Sequence, residues 1–454
     1  MYNVQWRLAL IFVEEHHDSL LCQRLHALTE SDKDYWSFKS NSRREYGHGL
    51  FQYPAMMVPQ VARSLLEQAC SVHPDIERVG DPFSGSGTIL TESMMRGLSF
   101  SGTDINPLAV LLCRVKSGPF FIDTLKEKTE ELSARIDSDS RWEVEVRFPN
   151  RDKWFNRDVQ IALSTVSRAI REEEALWARR FFWVALAETA RATSNSRTST
   201  FKLHIRTQED IKGRMCDPVG AFKKVLSRNL QHYEEQAKRL SESGQLVHGH
   251  YKRDVAVSLA DIRHVERQME SDIIVTSPPY GDNATTVPYG QYSYLPLQWV
   301  DLDDIDDTID TDCLVSTHEI DARSLGGSKR VKKSEADHIR DRSPAFSNYV
   351  KSLDGQPRDR ALRVTAFFRD LDNCLDPILK GLRRGGLMVW TLGNRNVGGK
   401  RVPLDRILSE LLQAHDAKLL CKLTRRISSK RMAPKNNIAD TMSSETILVM
   451  RKAM

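Results

Sequence analysis

Ile76-Glu77-Arg78-Val79-Gly80-Asp81-Pro82-Phe83-Ser84-Gly85-Ser86-Gly87-Thr88 is the stretch on which the fold reading turns. Residues 76–79 have the apolar alternation of a short strand, and Gly80 begins a glycine-rich turn. A helical pattern over 88–96 follows, then a second strand over 98–103 and a second helix over 107–115. Strand, glycine-rich loop, helix, strand, helix is the opening of a doubly wound α/β sheet. Without a Cβ at 85 and 87, the backbone can approach a ligand at the carboxyl edge of that sheet. Amides at the helix start favour an anionic group there.

Asp104 ends the second strand in Gly102-Thr103-Asp104-Ile105-Asn106-Pro107. An acid at that tip can accept both hydroxyls of a ribose, so turn and acid together imply an adenosine-containing ligand. The plainer alternative has Asp104 capping the helix that begins near Pro107. The turn lacks G-x-G-x-x-G spacing, so no pyrophosphate needs to be cradled, and an adenosyl ligand without phosphates fits better.

A second constellation, Thr276-Ser277-Pro278-Pro279-Tyr280, follows a short buried-strand pattern at 272–275. Two prolines hold the backbone extended and keep it out of any helix. Ser277 and the Pro278 carbonyl then make an acceptor pair, and Tyr280 offers a flat face. The exocyclic amine of a nucleobase is a poor nucleophile because its lone pair is delocalised. Two acceptors on its hydrogens favour a pyramidal nitrogen, while the ring stacks on a base drawn out of the duplex. Neither a general base nor a covalent nucleophile is required. A proline-rich turn with a surface tyrosine is the bland alternative.

The 454 residues exceed one minimal domain, and a net charge of +5 gives only weak support to a polyanionic partner. Seven scattered cysteines form no CxxC pair, which argues against a zinc site and a disulfide framework. The apolar run at 8–13 is too short for a membrane span and has no cleavage site after it. The expectation is a cytoplasmic protein without a membrane or metal partner. Helix-period patterns cover 122–136, 158–173, 175–191 and about 220–240, and the α/β pattern resumes with a helix near 362–383, a strand at 386–392, a helix at 403–414 and strands at 418–423 and 444–451.

Asp-Pro-Phe-x-Gly-x-Gly-Thr at 81–88 with Thr-Ser-Pro-Pro-Tyr at 276–280 resembles the amino-methyltransferase family of DNA modification enzymes. The resemblance implies a Rossmann-like methyltransferase sheet, S-adenosylmethionine as cofactor, and methylation of an exocyclic amine. Family members with Ser first in the catalytic tetrad are mostly N4-cytosine enzymes, so Ser277 favours N4 of cytosine over N6 of adenine. Catalysis falls to Ser277, Pro278, Pro279 and Tyr280. The cofactor falls to Asp81, Phe83, Gly85, Gly87, Thr88 and Asp104, with Tyr53 and Pro54 of Phe51-Gln52-Tyr53-Pro54-Ala55 closing over its methionine part. Asp254 resembles the acid that contacts the adenine ring, and Asp261 competes for that role. Implied partners are double-stranded DNA with a flipped target base and a cognate restriction endonuclease, in a restriction-modification or phage-defence context. The resemblance further implies association with the nucleoid through DNA.

On this reading 1–50 is an N-terminal extension and 51–117 the cofactor-binding half of the core. Residues 118–250 are a helical insertion with candidate DNA contacts, 251–299 the catalytic part, 300–360 an exposed charged insertion with candidate target recognition, and 361–454 the rest of the core. Basic residues in 191–206 and 329–333, with Arg425, Arg426, Lys430 and Arg431, are candidate phosphate contacts. Asn283, Tyr289, Gln291, Tyr292 and Tyr294 are candidates for stacking or wedging bases, whereas Trp299 reads as core. Residues 391–395 read as a turn or as a wall of the base pocket. Rival readings are an N6-adenine enzyme, an RNA amine methyltransferase, and an idle methyltransferase fold that only binds DNA. C5-cytosine chemistry is disfavoured because no Pro-Cys dipeptide occurs.

Overall fold

Alternate residues of the central strands enter different cores. Ile273, Val275, Leu387, Val389, Ile447 and Val449 pack into one apolar cluster, and Ile274, Met388, Trp390, Leu448 and Met450 into another. That two-residue period is what a sheet covered on both faces requires. The computed structural model describes residues 2–39, 42, 44–265, 270–282, 287–427 and 443–454, with 2–13 as backbone alone.

The sheet contains β1 (Arg78–Asp81), β2 (Ser99–Asp104), β3 (Val255–Leu259), β4 (Ser271–Thr276), β5 (Leu382–Gly393), β6 (Ala417–Arg426) and β7 (Ser444–Lys452). Their spatial order is β6-β7-β5-β4-β1-β2-β3, parallel from β5 through β3, with β7 antiparallel to both its neighbours. The chain builds outward from β1 to β3 and then returns to place β4 beside β1. A crevice opens at such a switch point, at the carboxyl ends of the strands. The doubly wound α/β expectation therefore holds.

The principal helices are α1 (Tyr2–Ser31), α2 (Pro59–Val72), α3 (Thr88–Met95), α4 (Pro107–Lys116), α5 (Ile122–Ser138), α6 (Arg157–Arg171), α7 (Leu176–Thr193), α8 (Pro218–Glu242), α9 (Tyr289–Leu297), α10 (Glu319–Arg323), α11 (Arg358–Lys380) and α12 (Leu404–Ala414). Helix α4 starts where Asn106 accepts the Leu108 amide with Pro107 at the first helical position, and it ends with Arg114 and Lys116 in its last turn. Asn106 rather than Asp104 is thus the cap, which removes the plainer account of Asp104.

Helices α5 to α8 occupy the predicted helical stretch. Leu125, Phe182, Trp183 and Phe222 share one core with α2 to α4, so this stretch is packed onto the sheet. The acidic and basic segment at 300–360 was expected to be exposed; residues 327–330 and 332–334 are, and the structure corrects the expectation for other parts of it. Asp304, Ile305, Ile320, Asp321, Leu325, Ile339 and Phe346 are buried. Asp304 takes hydrogen bonds from Arg179 at 2.7 Å and from the Trp183 indole at 2.6 Å, and Asp306 pairs with Arg114. A charge run looks solvated only while its partners, more than a hundred residues away, are out of view. The N-terminal extension is likewise anchored. Helix α1 buries Leu21 and Leu25, and Asp18 forms a buried ion pair with Arg451 of β7.

Among the described residues no helix is long and apolar enough to cross a membrane. Nor does any group of three or more His, Cys, Asp and Glu side chains there have the arrangement of a metal site.

Candidate active site

One cleft of ≈ 1000 Å³, counted out to bulk solvent, lies over the switch point. Its walls come from the 53–57 segment, the glycine-rich turn, the tip of β2, residues 260–263, Ser277 and Pro279, Tyr289, and residues 320–325. Gly85 and Ser277, nearly two hundred positions apart in sequence, therefore open onto one cavity.

Asp81 ends β1, and one of its carboxylate oxygens accepts the Thr276 hydroxyl at 2.7 Å and the Phe83 amide at 3.1 Å. Burial pushes its carboxyl up to about 7 against those bonds. Asp104 ends β2 and accepts the Gly85 amide at 2.8 Å and the Asn106 amide at 2.8 Å. Its place deep in the cleft pushes that carboxyl up to about 6, again against its hydrogen bonds. The Gly85 amide is thus committed to holding turn and acid together. Gly87 does not border the cleft: at φ +73° it starts α3, and an added Cβ would stand 2.9 Å from Cys113 Sγ of α4. Its part is to let the turn close onto α4. Lys116, buried at the end of α4, donates to the Ser86 carbonyl at 2.6 Å, and burial lowers its ammonium to about 8. Thr88, expected at the cofactor, borders the cleft with a buried hydroxyl that has no partner.

Tyr53 and Pro54 line the same cleft, as does Phe83 in the turn, and the Tyr53 ring stands 3.8 Å from the Cβ position of Gly85. The Tyr53 ring stacks on Tyr289, with centroids 5.8 Å apart, and its hydroxyl accepts from Asn106 Nδ2 at 2.9 Å. Asn106 also donates to Ser293 at 2.8 Å, joining the cofactor-side loop to α9. Sequence reasoning missed this bridge, although an Asn before Pro107 signals a helix cap.

The structure does not bring Asp254 to the cleft. It precedes β3, at the opposite end of the strand from the cavity, with its carboxylate largely exposed and 3.3 Å from Arg78. Five strand residues at about 3.3 Å each keep it roughly 16 Å from the β3 tip. Asp261, the competitor, borders the cleft and holds Arg263 through both carboxylate oxygens.

The catalytic turn sits on the other side. Ser277 Oγ lies 3.2 Å from both Tyr280 Oη and the Thr391 carbonyl. Tyr280 Oη donates in turn to Glu445 at the start of β7, at 3.1 Å. Neither Pro278 nor Tyr280 borders the cofactor cleft; the Tyr280 ring is part-buried and packs against the core cluster that holds Ile274 and Trp390. Asp282 forms a buried ion pair with Arg395 at 2.7 Å, so residues 391–395 brace the turn. Arg425 is buried on Glu445 at 2.7 Å, and Arg191 is buried over the Tyr292 ring, which removes both as free phosphate contacts. Tyr292, Tyr294 and Trp299 are core, and Leu203, Gln291 and His318 form a local hydrogen-bonded group. Asn283 to Thr286, Lys430 and Arg431 lie outside the described residues.

No family model matches the chain. In sequence it is 30% identical over 455 aligned positions to the type II methyltransferase M.MvaI of Kocuria varians, covering 96% of this chain and 97% of that one. It is 34% identical over 104 residues to the type II methyltransferase M.MjaII of Methanocaldococcus jannaschii, a match to 21% of this chain and 19% of the other. Among solved structures, the rRNA methyltransferase aviRa from Streptomyces viridochromogenes aligns with 88% of this chain and 86% of its own at 11% identity and a TM-score of 0.30.

Proposed function

The chain belongs to the type II methyltransferases, enzymes that transfer methyl groups to DNA, and from that premise we propose that it methylates N4 of cytosine using S-adenosylmethionine. The observation that carries this reading is the single cleft bordered by Gly85, Asp104 and Ser277.

The residues present fit the cofactor. A carboxylate has about four acceptor sites, and two on Asp104 remain for ribose hydroxyls after the Gly85 and Asn106 amides are counted. The unpartnered Thr88 hydroxyl and the stacked Tyr53 and Tyr289 rings supply a polar and an aromatic wall. We assign the adenine to Asp261, Ala260 and Ile262, which line the same cleft. When bound, the cofactor supplies an electrophilic methyl group whose bonding pair stays on sulfur. Ser277 Oγ and the Pro278 carbonyl orient the amine of a flipped base, and Pro279 holds the turn extended. Tyr280 gives the base a face to stack on. The basic residues at 329–333 position the duplex without reading its sequence. The names of the relatives support a companion endonuclease, and a gene neighbourhood without one argues against it.

The preference for cytosine rests on Ser277 standing where adenine enzymes of the resembled family carry Asp. The test is incubation with labelled S-adenosylmethionine and varied duplex DNA, digestion, and mass analysis of the nucleosides. N4-methyl-2′-deoxycytidine is the expected product; N6-methyl-2′-deoxyadenosine would overturn the cytosine assignment, and preferential labelling of tRNA would overturn DNA as the substrate.

A further inference from the structure

We propose that Ser277, Tyr280 and Glu445 form a proton exit path from the target amine, with Glu445 as the terminal acceptor. This rests on the reading of the site given above. An amino nitrogen that gains a methyl group while keeping both hydrogens becomes a cation, and an unpaired cation out of water is costly. One N–H bond must break. The serine that orients the amine has a neutral hydroxyl and cannot keep a second proton.

The structure gives that proton a route. Ser277 Oγ is 3.2 Å from Tyr280 Oη, and Tyr280 Oη donates to Glu445 Oε1 at 3.1 Å. The Thr391 carbonyl also lies 3.2 Å from Ser277 Oγ, but it can only accept, so only the tyrosine leads onward. On Glu445 the second oxygen is held at 2.7 Å by Arg425, a guanidinium that is itself buried. Burial keeps the Tyr280 phenol protonated, its pKa raised well above the ordinary value, so it suits a relay that receives one proton as it releases another. Neither Tyr280 nor Glu445 borders the cofactor cleft, which leaves the path on the far side of the turn.

As the nitrogen forms its bond to the methyl carbon, one N–H bond breaks and its electron pair stays on nitrogen. The amine proton goes to Ser277 Oγ, the Ser277 proton to Tyr280 Oη, and the Tyr280 proton to Glu445 Oε1. The positive charge delivered with the methyl group is cancelled by the carboxylate, and Glu445 ends as a neutral acid that returns its proton to solvent between turnovers.

Tyr280→Phe keeps the ring and cuts the path in the middle; Glu445→Gln removes its end; Glu445→Asp restores a carboxylate. Single-turnover methyl transfer should fall about 100-fold in the first two, the lower end for lost proton transfer, with partial recovery in the third. Slowing in D2O should be present in the wild-type protein and absent from the two disabled variants. Fluorescence of 2-aminopurine at the target position, measured without cofactor, should match the wild type in all three, because base extrusion does not use the path. Transfer at the wild-type rate in Tyr280→Phe, retained D2O slowing, or loss of the fluorescence change in step with the rate would each overturn the inference. Should Glu445→Gln fail to fold, Tyr280→Phe carries the test alone, since it leaves the Glu445–Arg425 pair intact. A wild-type protein that methylates no DNA overturns the functional reading and this inference with it, whereas the first three outcomes leave that reading standing.

Discussion

Acidification through the range where Asp104 takes up a proton should release the cofactor. Its carboxyl is pushed up to about 6 by burial, and the Asn106 and Gly85 amides already occupy two of its acceptor sites. Two donating ribose hydroxyls need the remaining two, and protonation turns one of these from an acceptor into a donor. With one required ionisation near 6, the dissociation constant should be level above about pH 7 and rise about ten-fold for each unit below 6, or about 1.4 kcal/mol per decade. At pH 6 roughly half a proton should leave with each ligand bound. The linkage runs opposite for stability of the ligand-free fold. Because the folded value is raised, the contribution of Asp104 is complete below its ordinary value of 3.8 and is lost as pH rises through about 6. Calorimetric titration with S-adenosylhomocysteine, in two buffers of different ionisation enthalpy, reads both slope and proton count. Asp104→Asn should bind weakly and without a slope, and Asp81→Asn reports any share from the neighbouring acid, which burial pushes up to about 7. A dissociation constant that stays level from about pH 5 to 8, or a slope that survives in Asp104→Asn, would refute the argument.

Asp261→Ala should weaken cofactor binding about ten-fold, the worth of one charge-assisted hydrogen bond, while Asp254→Ala, at the far end of its strand, leaves calorimetric affinity unchanged. Gly87→Ala forces a side chain into φ +73° with its Cβ 2.9 Å from Cys113 Sγ, and should lower stability in urea unfolding by about 1–2 kcal/mol from the left-handed backbone alone. Glu92 lies buried behind the glycine-rich turn, bonded to Tyr46, His48 and Arg63. Burial opposes its ionisation, yet the His48 and Arg63 contacts hold it down to about 2, so its contribution is complete above its ordinary value of 4.5 and is lost as pH falls through 2. Glu92→Gln should cost about 3 kcal/mol, the lower end for breaking a buried ion pair, and should flatten the acid limb of the stability curve.

The order of core elements was legible because each rests on local signals. A glycine-rich turn between two short apolar strands, Pro107 opening a helix and the paired prolines before Tyr280 need no distant partner. What escaped reading depends on distance. Strand β3 is half exposed and carries no strong alternation, so its position beside β2 comes from pairing rather than pattern. Asp254 was placed by motif order, which does not say at which end of a strand an acid stands. Asp304 and Asp306 read as solvated until Arg114, Arg179 and Trp183 were folded against them. For Glu445 no local signal existed; it is a lone acid at the start of the last strand.

The catalytic turn shows how distant anchors replace backbone pairing. Paired prolines exclude the turn from any ladder, so side chains have to hold it. Thr276 bonds Asp81 at the end of β1, Ser277 reaches the Thr391 carbonyl in β5, Tyr280 reaches Glu445 in β7, and Asp282 pairs with Arg395 beyond β5. Each anchor is a different strand end or the loop leaving one, and none of these four comes from residues 118–250. The sheet can therefore carry more than a hundred residues between its two motifs while their relative position stays set by β1 and β4 pairing through Val79 with Ile273 and Gly80 with Ile274. Replacing Arg395 should accordingly disturb methyl transfer more than cofactor binding, because it braces the turn from the side away from Asp104.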